Sequence, residues 1–356
     1  MAFSSKKLLT RFLVLFFWLT LLCIFLFSPI LFRKFKNRRS LNIFTFPQLI
    51  DAEYVNKFEK ETGIKLYISY YENNDELLIK MRKTKGHGYD IIIPSDYSVE
   101  LLIKEGLLKK YDKSKLKFYH NIDERFLGKY FDPNNDYSIP YLWEIYKIGI
   151  NKHFFKGKYP EASWKLVFDE NIAPQGIVMA NNPREAVLLA AFYLFGSIDN
   201  LNDDKMKKIR ELLIKQKKWV EVYSDLRSDF LLSSGTCPVS VGTSGEIWQA
   251  VRWDEDLDFL IPQEGTFLLI DSIAISAKST KGDLVCTFIN YLYQPDVMWH
   301  HVEKYSIFPV TKDVPLSDEF IKPISRIWKE AKKLEFFRNV LSEDQVNEVW
   351  IELKSK

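Results

Sequence analysis

The chain has 356 residues, 47% hydrophobic and 27% charged, with 50 Lys and Arg against 47 Asp and Glu. These proportions exclude a disordered or low-complexity polymer, and a net charge of only +3 excludes a dedicated nucleic-acid binder. Three cysteines, Cys23, Cys237 and Cys286, are too few for a disulfide framework, and no CxxC or Cys/His metal spacing occurs.

The charge is unevenly spread. Residues 1–40 hold eight basic residues (Lys6, Lys7, Arg11, Arg33, Lys34, Lys36, Arg38 and Arg39) and no acid, so the other 316 residues carry 42 basic and 47 acidic groups. A basic head precedes a mildly acidic globule, large enough for about two domains at about 150 residues each. Within the head, residues 12–32 run uncharged, long enough as a helix to span about 30 Å of hydrocarbon. The run ends in bulky residues instead of a small-x-small cleavage site, which predicts an uncleaved signal anchor over 1–40 with a basic arm. Cys23, after Thr20, Leu21 and Leu22, keeps lipid attachment or cleavage as alternatives.

In the globule, Leu41 to Phe46 reads as a strand. Asp51 is a cap for a helix with Tyr54, Val55 and Phe58 on one face, ended by Gly63. Lys65 to Tyr71 alternates as a strand, Asp75 to Lys83 reads as a helix, and Asp90-Ile-Ile-Ile-Pro94 is an apolar strand. That β-α-β-α-β order predicts a parallel sheet covered on both faces, with ligands at the carboxyl ends of strands, at Thr45–Gln48 and Ser95–Tyr97. Asp132 to Tyr137 is a dense turn before Ile139-Pro140-Tyr141, and Ile148 to Asn151 is a strand-like exit.

A second α/β pattern follows. Ile177 to Ala180 is a strand, Asn182 a cap before Pro183, and Glu185 to Leu194 an apolar helix. Lys205 to Trp219 is a polar-faced helix, Val239 to Val241 a strand, and Asp258–Ile261 and Thr266–Ile275 flank a turn. The tail is helical over Asp283–Tyr293 and Pro295–Lys304, and a final helix opens with a capping box at Ser342 and Gln345. No repeat or long linker interrupts this order.

Motifs for catalysis are missing: no GxSxG, HExxH, Walker lysine loop or GxGxxG occurs, which points away from an enzyme and from a cofactor. His300 and His301 sit side by side on a helix, about 100° apart, a poor arrangement for shared metal ligation. They read as partly exposed imidazoles.

One set of motifs goes further. Phe58-Glu-Lys-Glu-Thr-Gly63, Tyr71-Glu72-x-Asn74, Tyr89-Asp90-Ile-Ile-Ile-Pro94-Ser95-Asp96-Tyr97 and Asp112-Lys-Ser-Lys-Leu116 occur in order. Phe131-Asp-Pro-Asn-Asn-Asp-Tyr-Ser-Ile-Pro-Tyr141, Ser163-Trp164, Asp271-Ser-Ile-Ala-Ile and Gln294-Pro-Asp-Val297 follow. Over about residues 41–312 the chain resembles the extracytoplasmic polyamine-binding proteins that feed spermidine/putrescine ABC importers. The resemblance implies an α/β, two-lobed clamshell of the periplasmic-binding-protein type II, with strands crossing at the hinge, preceded here by the hydrophobic helix. It implies a first lobe at 41–147 plus 271–315 and a second at 148–270 plus 316–356. It also implies a globule in the periplasm or on the outer face of the cytoplasmic membrane, tethered through residues 12–32. Its partners would be an ABC permease and ATPase.

A linear polyamine carries ammonium groups, so its pocket needs spaced carboxylates, aromatic faces and a few hydroxyl or amide acceptors. Carried over position by position, the resemblance selects Ser95, Asp96 and Tyr97, Glu185, and Asp271, with Glu185 and Asp271 as cation anchors and Tyr97 as a wall. Taken alone, Glu185 is equally a helix N-terminal acid, Asp271 a turn residue and Tyr97 a core aromatic. The chain also departs from the family's pattern. Thr45-Phe46-Pro47-Gln48-Leu49 stands in the first loop where Asn-Trp-x-x-Tyr is usual, which puts Phe46 at the Trp position, Leu49 at the Tyr position and Gln48 between them, and Asn182 stands where an acid often precedes the site glutamate. Thr243 and Leu269 replace tryptophans, and Glu144 follows Trp143 where a small residue is usual, either as a compensating acid or pointing to solvent. The expected function is therefore capture of a polyamine for an importer. The alternative is an anchored sensor or interaction module, with Phe46, Leu49 and Leu269 forming an apolar cleft.

Overall fold

The computed structural model describes residues 12–25, 39–224 and 228–355. Residues 12–25 are helical and their side chains exposed. The end of the expected span and all eight basic residues of the head but Arg39 lie outside the described residues, among which no helix is long and apolar enough to cross a membrane.

β1 (Ser40–Thr45) opens the globule. Asp51 accepts from the Glu53 N–H at 2.7 Å and so caps the helix Ala52–Thr62, which Gly63 ends at φ 69°, in the left-handed region where a side chain is unwelcome. β2 (Lys65–Tyr70), the helix Asn74–Thr84 and β3 (Ile91–Ile93) complete the expected β-α-β-α-β unit. β3 runs straight into the helix Asp96–Lys104, and β4 (Leu108–Lys109) follows. In the turn beyond, the Asp132 carboxylate accepts from the N–H groups of Asp136, Tyr137 and Ser138 at 2.8–3.0 Å.

The strand pieces expected at Ile139–Tyr141 and Ile148–Asn151 are the two ends of one 14-residue strand, β5 (Ser138–Asn151). Nearly every residue of β5 is buried, which erases the alternation that marks a half-exposed strand. The remaining strands are β6 (Ile177–Met179), β7 (Val220–Tyr223), β8 (Val239–Thr243), β9 (Leu257–Leu260), β10 (Thr266–Ser276), β11 (Phe308–Pro309) and β12 (Leu334–Glu335).

The sheet order is β2-β1-β3-β10-β5-β8-β6-β7. Two parallel triplets, β2-β1-β3 and β8-β6-β7, are joined through the long antiparallel pair β5 and β10. Residues 138–145 of β5 pair with β10 beside the first triplet, and residues 146–151 pair with β8 and β9 beside the second. This is a two-lobed α/β clamshell whose lobes share two crossing strands.

Each lobe has its own apolar core. One draws on Leu41 to Ile145 and Leu268 to Ile327, the other mainly on Tyr146 to Phe267 and Phe337 to Leu353. The helix Asp318–Glu330, expected in the second lobe, packs with the first core, because Phe320 meets Trp299 at 5.3 Å and Trp328 meets Trp143 at 5.1 Å between ring centroids. The final helix Glu343–Ser355 packs with the second core, its N-terminus closed by the expected Ser342 and Gln345 bonds. Cys237 and Cys286 are both buried free thiols.

The histidine pair needs a correction. His300 is partly exposed, but His301 is fully buried, its Nε2 accepting from the Asp51 N–H at 2.9 Å and its Nδ1 lying 2.7 Å from the Val297 carbonyl. Burial pulls its pKa down to about 4, so it is a neutral structural link between two helices.

Candidate functional site

A cleft of about 860 Å³, open mouth included, lies where the lobes and the crossing strands meet. The strand-end rule explains most of its wall. Phe46, Pro47, Gln48 and Leu49 follow β1, Glu72 and Asn74 follow β2, and Ser95 follows β3. Across the cleft, Asn182 and Glu185 follow β6, and Thr243, Gly245 and Glu246 lie at the end of β8. The floor is supplied by Glu144 and Tyr146 on β5 and by Leu269 and Asp271 on β10, with Tyr305 and Ile307 beside them.

Local structure aims these side chains. Asn182 Oδ1 accepts from the N–H groups of Arg184 and Glu185 at 3.0 and 3.3 Å, which caps the helix Pro183–Phe195 and sets Glu185 on its first turn facing the cleft. Tyr146 donates its hydroxyl to Glu185 Oε2. Asn74 donates to Ser95 Oγ at 3.0 Å, and Ser95 donates to Asp271 Oδ1 at 3.2 Å. A register shift between Asp271 and Ser272 turns the strand at this point. Gln48, at φ 71°, holds a left-handed backbone in the loop after β1, a conformation costing about 1–3 kcal/mol that tends to mark ligand loops.

Five carboxylates line this cleft (Glu72, Glu144, Glu185, Glu246 and Asp271), and among the described residues no lysine or arginine does. Two of them hold their protons unusually tightly. Burial raises Asp271 to about 6 against the pull of the Ser95 hydrogen bond. Burial and the neighbouring Asp271 charge raise Glu144 to about 7, although Gly245 N–H, at 2.6 Å, and Thr243 donate to it. Phe46, Tyr71, Tyr146 and Tyr305 add aromatic faces. Clustered, half-desolvated carboxylates repel one another, and a shared proton or a positive group relieves that repulsion.

Of the residues selected from the sequence, Phe46, Gln48, Ser95, Asn182, Glu185 and Asp271 line the cleft together, whereas Asp96 and Tyr97 do not. Both are first-turn residues of the helix Asp96–Lys104, which rotates them by about 100° per residue away from Ser95. Asp96 is buried, accepting from Tyr97 N–H at 2.6 Å, and burial holds its carboxyl well above the usual range. Tyr97 packs in the second core, where Asn182 donates to its hydroxyl at 3.4 Å. It braces the cap and does not form a wall.

Sequence reasoning did not select Glu72 or Glu246, although both follow strand ends and the same rule reaches them. Tyr146 and Tyr305 carry no local signal; only strand register and helix packing bring them in. Glu144 points into the cleft. Beyond it on β5, Lys147 is fully buried, its Nζ 3.7 Å from the Phe259 ring centroid, and burial pulls its pKa down to about 7.

One other cluster has metal-ligand chemistry. Oxygens of Asp51 and Glu53 and a nitrogen of His300 lie within 4.8 Å of one another. There, however, Asp51 receives the Lys304 ammonium, the Tyr305 hydroxyl and the Glu53 N–H. These donors outweigh burial and hold Asp51 down at about 2, so the carboxylate already has its cation.

Comparison with known proteins agrees with this architecture. Residues 53–326 match the family described as bacterial extracellular solute-binding protein. The putrescine-binding periplasmic protein SpuD of Pseudomonas aeruginosa is 30% identical over 346 residues, covering 90% of this chain and 93% of the relative. The spermidine/putrescine-binding periplasmic protein of Escherichia coli is 31% identical over 264 residues, 73% of this chain and 74% of the relative. Among solved structures, a putative spermidine/putrescine ABC transporter protein from Listeria monocytogenes superposes with a TM-score of 0.78 at 27% identity, covering 89% of this chain and 99% of that one.

Proposed function

The chain belongs to the bacterial extracellular solute-binding proteins, and we propose that its own solute is a linear polyamine, held between the lobes and passed to an ABC permease and its ATPase. The observation that carries this reading is the charge of the cleft, lined by five carboxylates and by no lysine or arginine among the described residues. Glu185 on the second-lobe wall and Asp271 on the floor of crossing strands offer anchors for the two ends of an extended dication. Phe46, Tyr71 and Tyr305 cover its methylenes and contribute about 0.5–2 kcal/mol for each cation–π contact. A micromolar complex needs only about 8 kcal/mol, so a few such contacts suffice once the lobes close and exclude water.

The same reading puts the globule on the outer face of the cytoplasmic membrane, held by the apolar stretch at residues 12–32 with Lys6, Lys7 and Arg11 inside. The alternative, a sensor or interaction module with an apolar cleft, draws on Phe46, Leu49, Leu269 and Ile307 in the lining, but leaves the five acids without a role. The test is calorimetric titration of the full chain with putrescine and spermidine. Binding is expected in the micromolar range and to weaken at least about tenfold in Glu185→Ala and Asp271→Ala. Unchanged affinity in both variants would remove the reading.

A further inference from the structure

We propose that Glu144 and Asp271 together form the receptor for one terminal ammonium group of the ligand, and that the ammonium, on entering, expels a proton from this pair to solvent. The inference rests on the polyamine reading and deepens it by assigning a residue that determines which cations fit.

The geometry comes from strand register. Glu144 on β5 lies directly opposite Leu269 on β10, and Asp271 is the next residue on the same face, so the two acids are diagonal neighbours, about 7–8 Å apart along the backbone. All three side chains line the cleft. Leu269 and Asp271 are the half-exposed residues on an otherwise buried strand, which fixes that face of β10 as the one turned to the ligand. Glu144 is held from behind: Gly245 N–H and the Thr243 side chain bond it, and Gly245 lets it approach, since a Cβ there would stand 2.7 Å from Glu144 Oε1.

The groups facing the pair from the neighbouring elements are acidic or neutral. Helix Ser244–Val251 contributes Glu246, helix Pro183–Phe195 contributes Glu185 with the Tyr146 hydroxyl on it, and helix Pro295–Tyr305 contributes the Tyr305 phenol. The loop after β2 brings Glu72, and that after β3 brings only the Ser95 hydroxyl. On β5 itself Lys147 lies behind Glu144, close enough to favour its ionised form, but it is buried against Phe259 and does not line the cleft. With three further acids and, among the described residues, no cation in the lining, the pair holds a proton near neutrality, consistent with the raised values of both groups. When a primary ammonium arrives, one O–H bond breaks, its proton goes to solvent buffer, and the two carboxylates take the ligand's N–H donors; the ligand itself stays protonated. The site therefore favours an ammonium with N–H donors over a quaternary one of equal charge, which has none to offer.

The experiment is isothermal titration of the full chain in mild detergent with putrescine, at about pH 6.5, in two buffers of different ionisation enthalpy. The wild type is expected to show a buffer-dependent heat equal to release of about 0.5–1 proton per ligand, and a bis-quaternary analogue to bind at least about tenfold more weakly. Glu144→Gln keeps the shape and the bond from Gly245, so it folds as the wild type in a thermal melt; it is expected to lose most of the proton release and at least about tenfold in affinity. Putrescine binding with equal heats in both buffers, or a Gln variant that binds and releases as the wild type does, overturns the inference and leaves the polyamine reading standing. Failure of the wild type to bind any linear amine overturns both.

Discussion

Asp271→Asn isolates the electrostatic cost of an ionised carboxylate in the cleft. The Asp271 carboxyl rises from 3.8 to about 6 on folding, so between those values the folded protein holds a proton that the unfolded chain has lost. Stability from this group is therefore full below about pH 4 and falls as pH rises, levelling off above about pH 6. At about 1.4 kcal/mol per unit the loss amounts to about 3 kcal/mol at pH 8. Asparagine keeps an acceptor for the Ser95 hydroxyl but cannot ionise. The variant is expected to match the wild type near pH 4 and to be more stable by about 3 kcal/mol at pH 8, read from urea denaturation by tryptophan fluorescence at a series of pH values. A stability gap that stays constant with pH, or an Asn variant less stable than wild type at pH 8, would refute the reasoning that the ionised cleft works against the fold until a cation fills it.

Other substitutions test separate parts of the account. Gly245→Ala pushes a methyl against Glu144 Oε1 and the Tyr305 carbonyl, at 2.7 and 3.3 Å; calorimetry should show at least tenfold weaker amine binding, and urea melts a cost of about 1–3 kcal/mol. Lys147→Met replaces a buried cation that has no hydrogen-bond partner among the described residues, and should stabilise the protein at pH 7 by about 1–4 kcal/mol on denaturation. His301→Leu removes the acceptor of the Asp51 N–H and should cost about 1–3 kcal/mol at pH 7. Because the folded pKa of His301 lies near 4, below its unfolded value of 6.5, the wild type alone should lose a further increment as pH falls through that window.

What could be read from the sequence was local. The Asp51 and Asn182 caps, the Gly63 stop and the Ser342–Gln345 box each depend on a few neighbouring residues, and each stands where expected. The first parallel unit was legible because its helices are amphipathic and its strands short. The hinge was not, because β5 is buried along almost its whole length and its sequence has no period to read. That gap concealed the direction of Glu144 and the arrival of Tyr146 at Glu185, both set by register with strands more than 90 residues away. The strand-end rule and the resemblance put Asp96 and Tyr97 in the cleft with Ser95, but the helix that starts at Asp96 turns both inward. The sequence makes His301 only partly exposed, because its buried face is created by the distant segment at Asp51.

The most direct measurement is the heat of binding of putrescine and spermidine to the full chain at about pH 7.5, set against that of an uncharged diol of the same length. Saturable micromolar binding of at least one amine, diminished by salt, is expected, with no binding of the diol. Flat titrations with every linear amine, or equal binding of the diol, would contradict it.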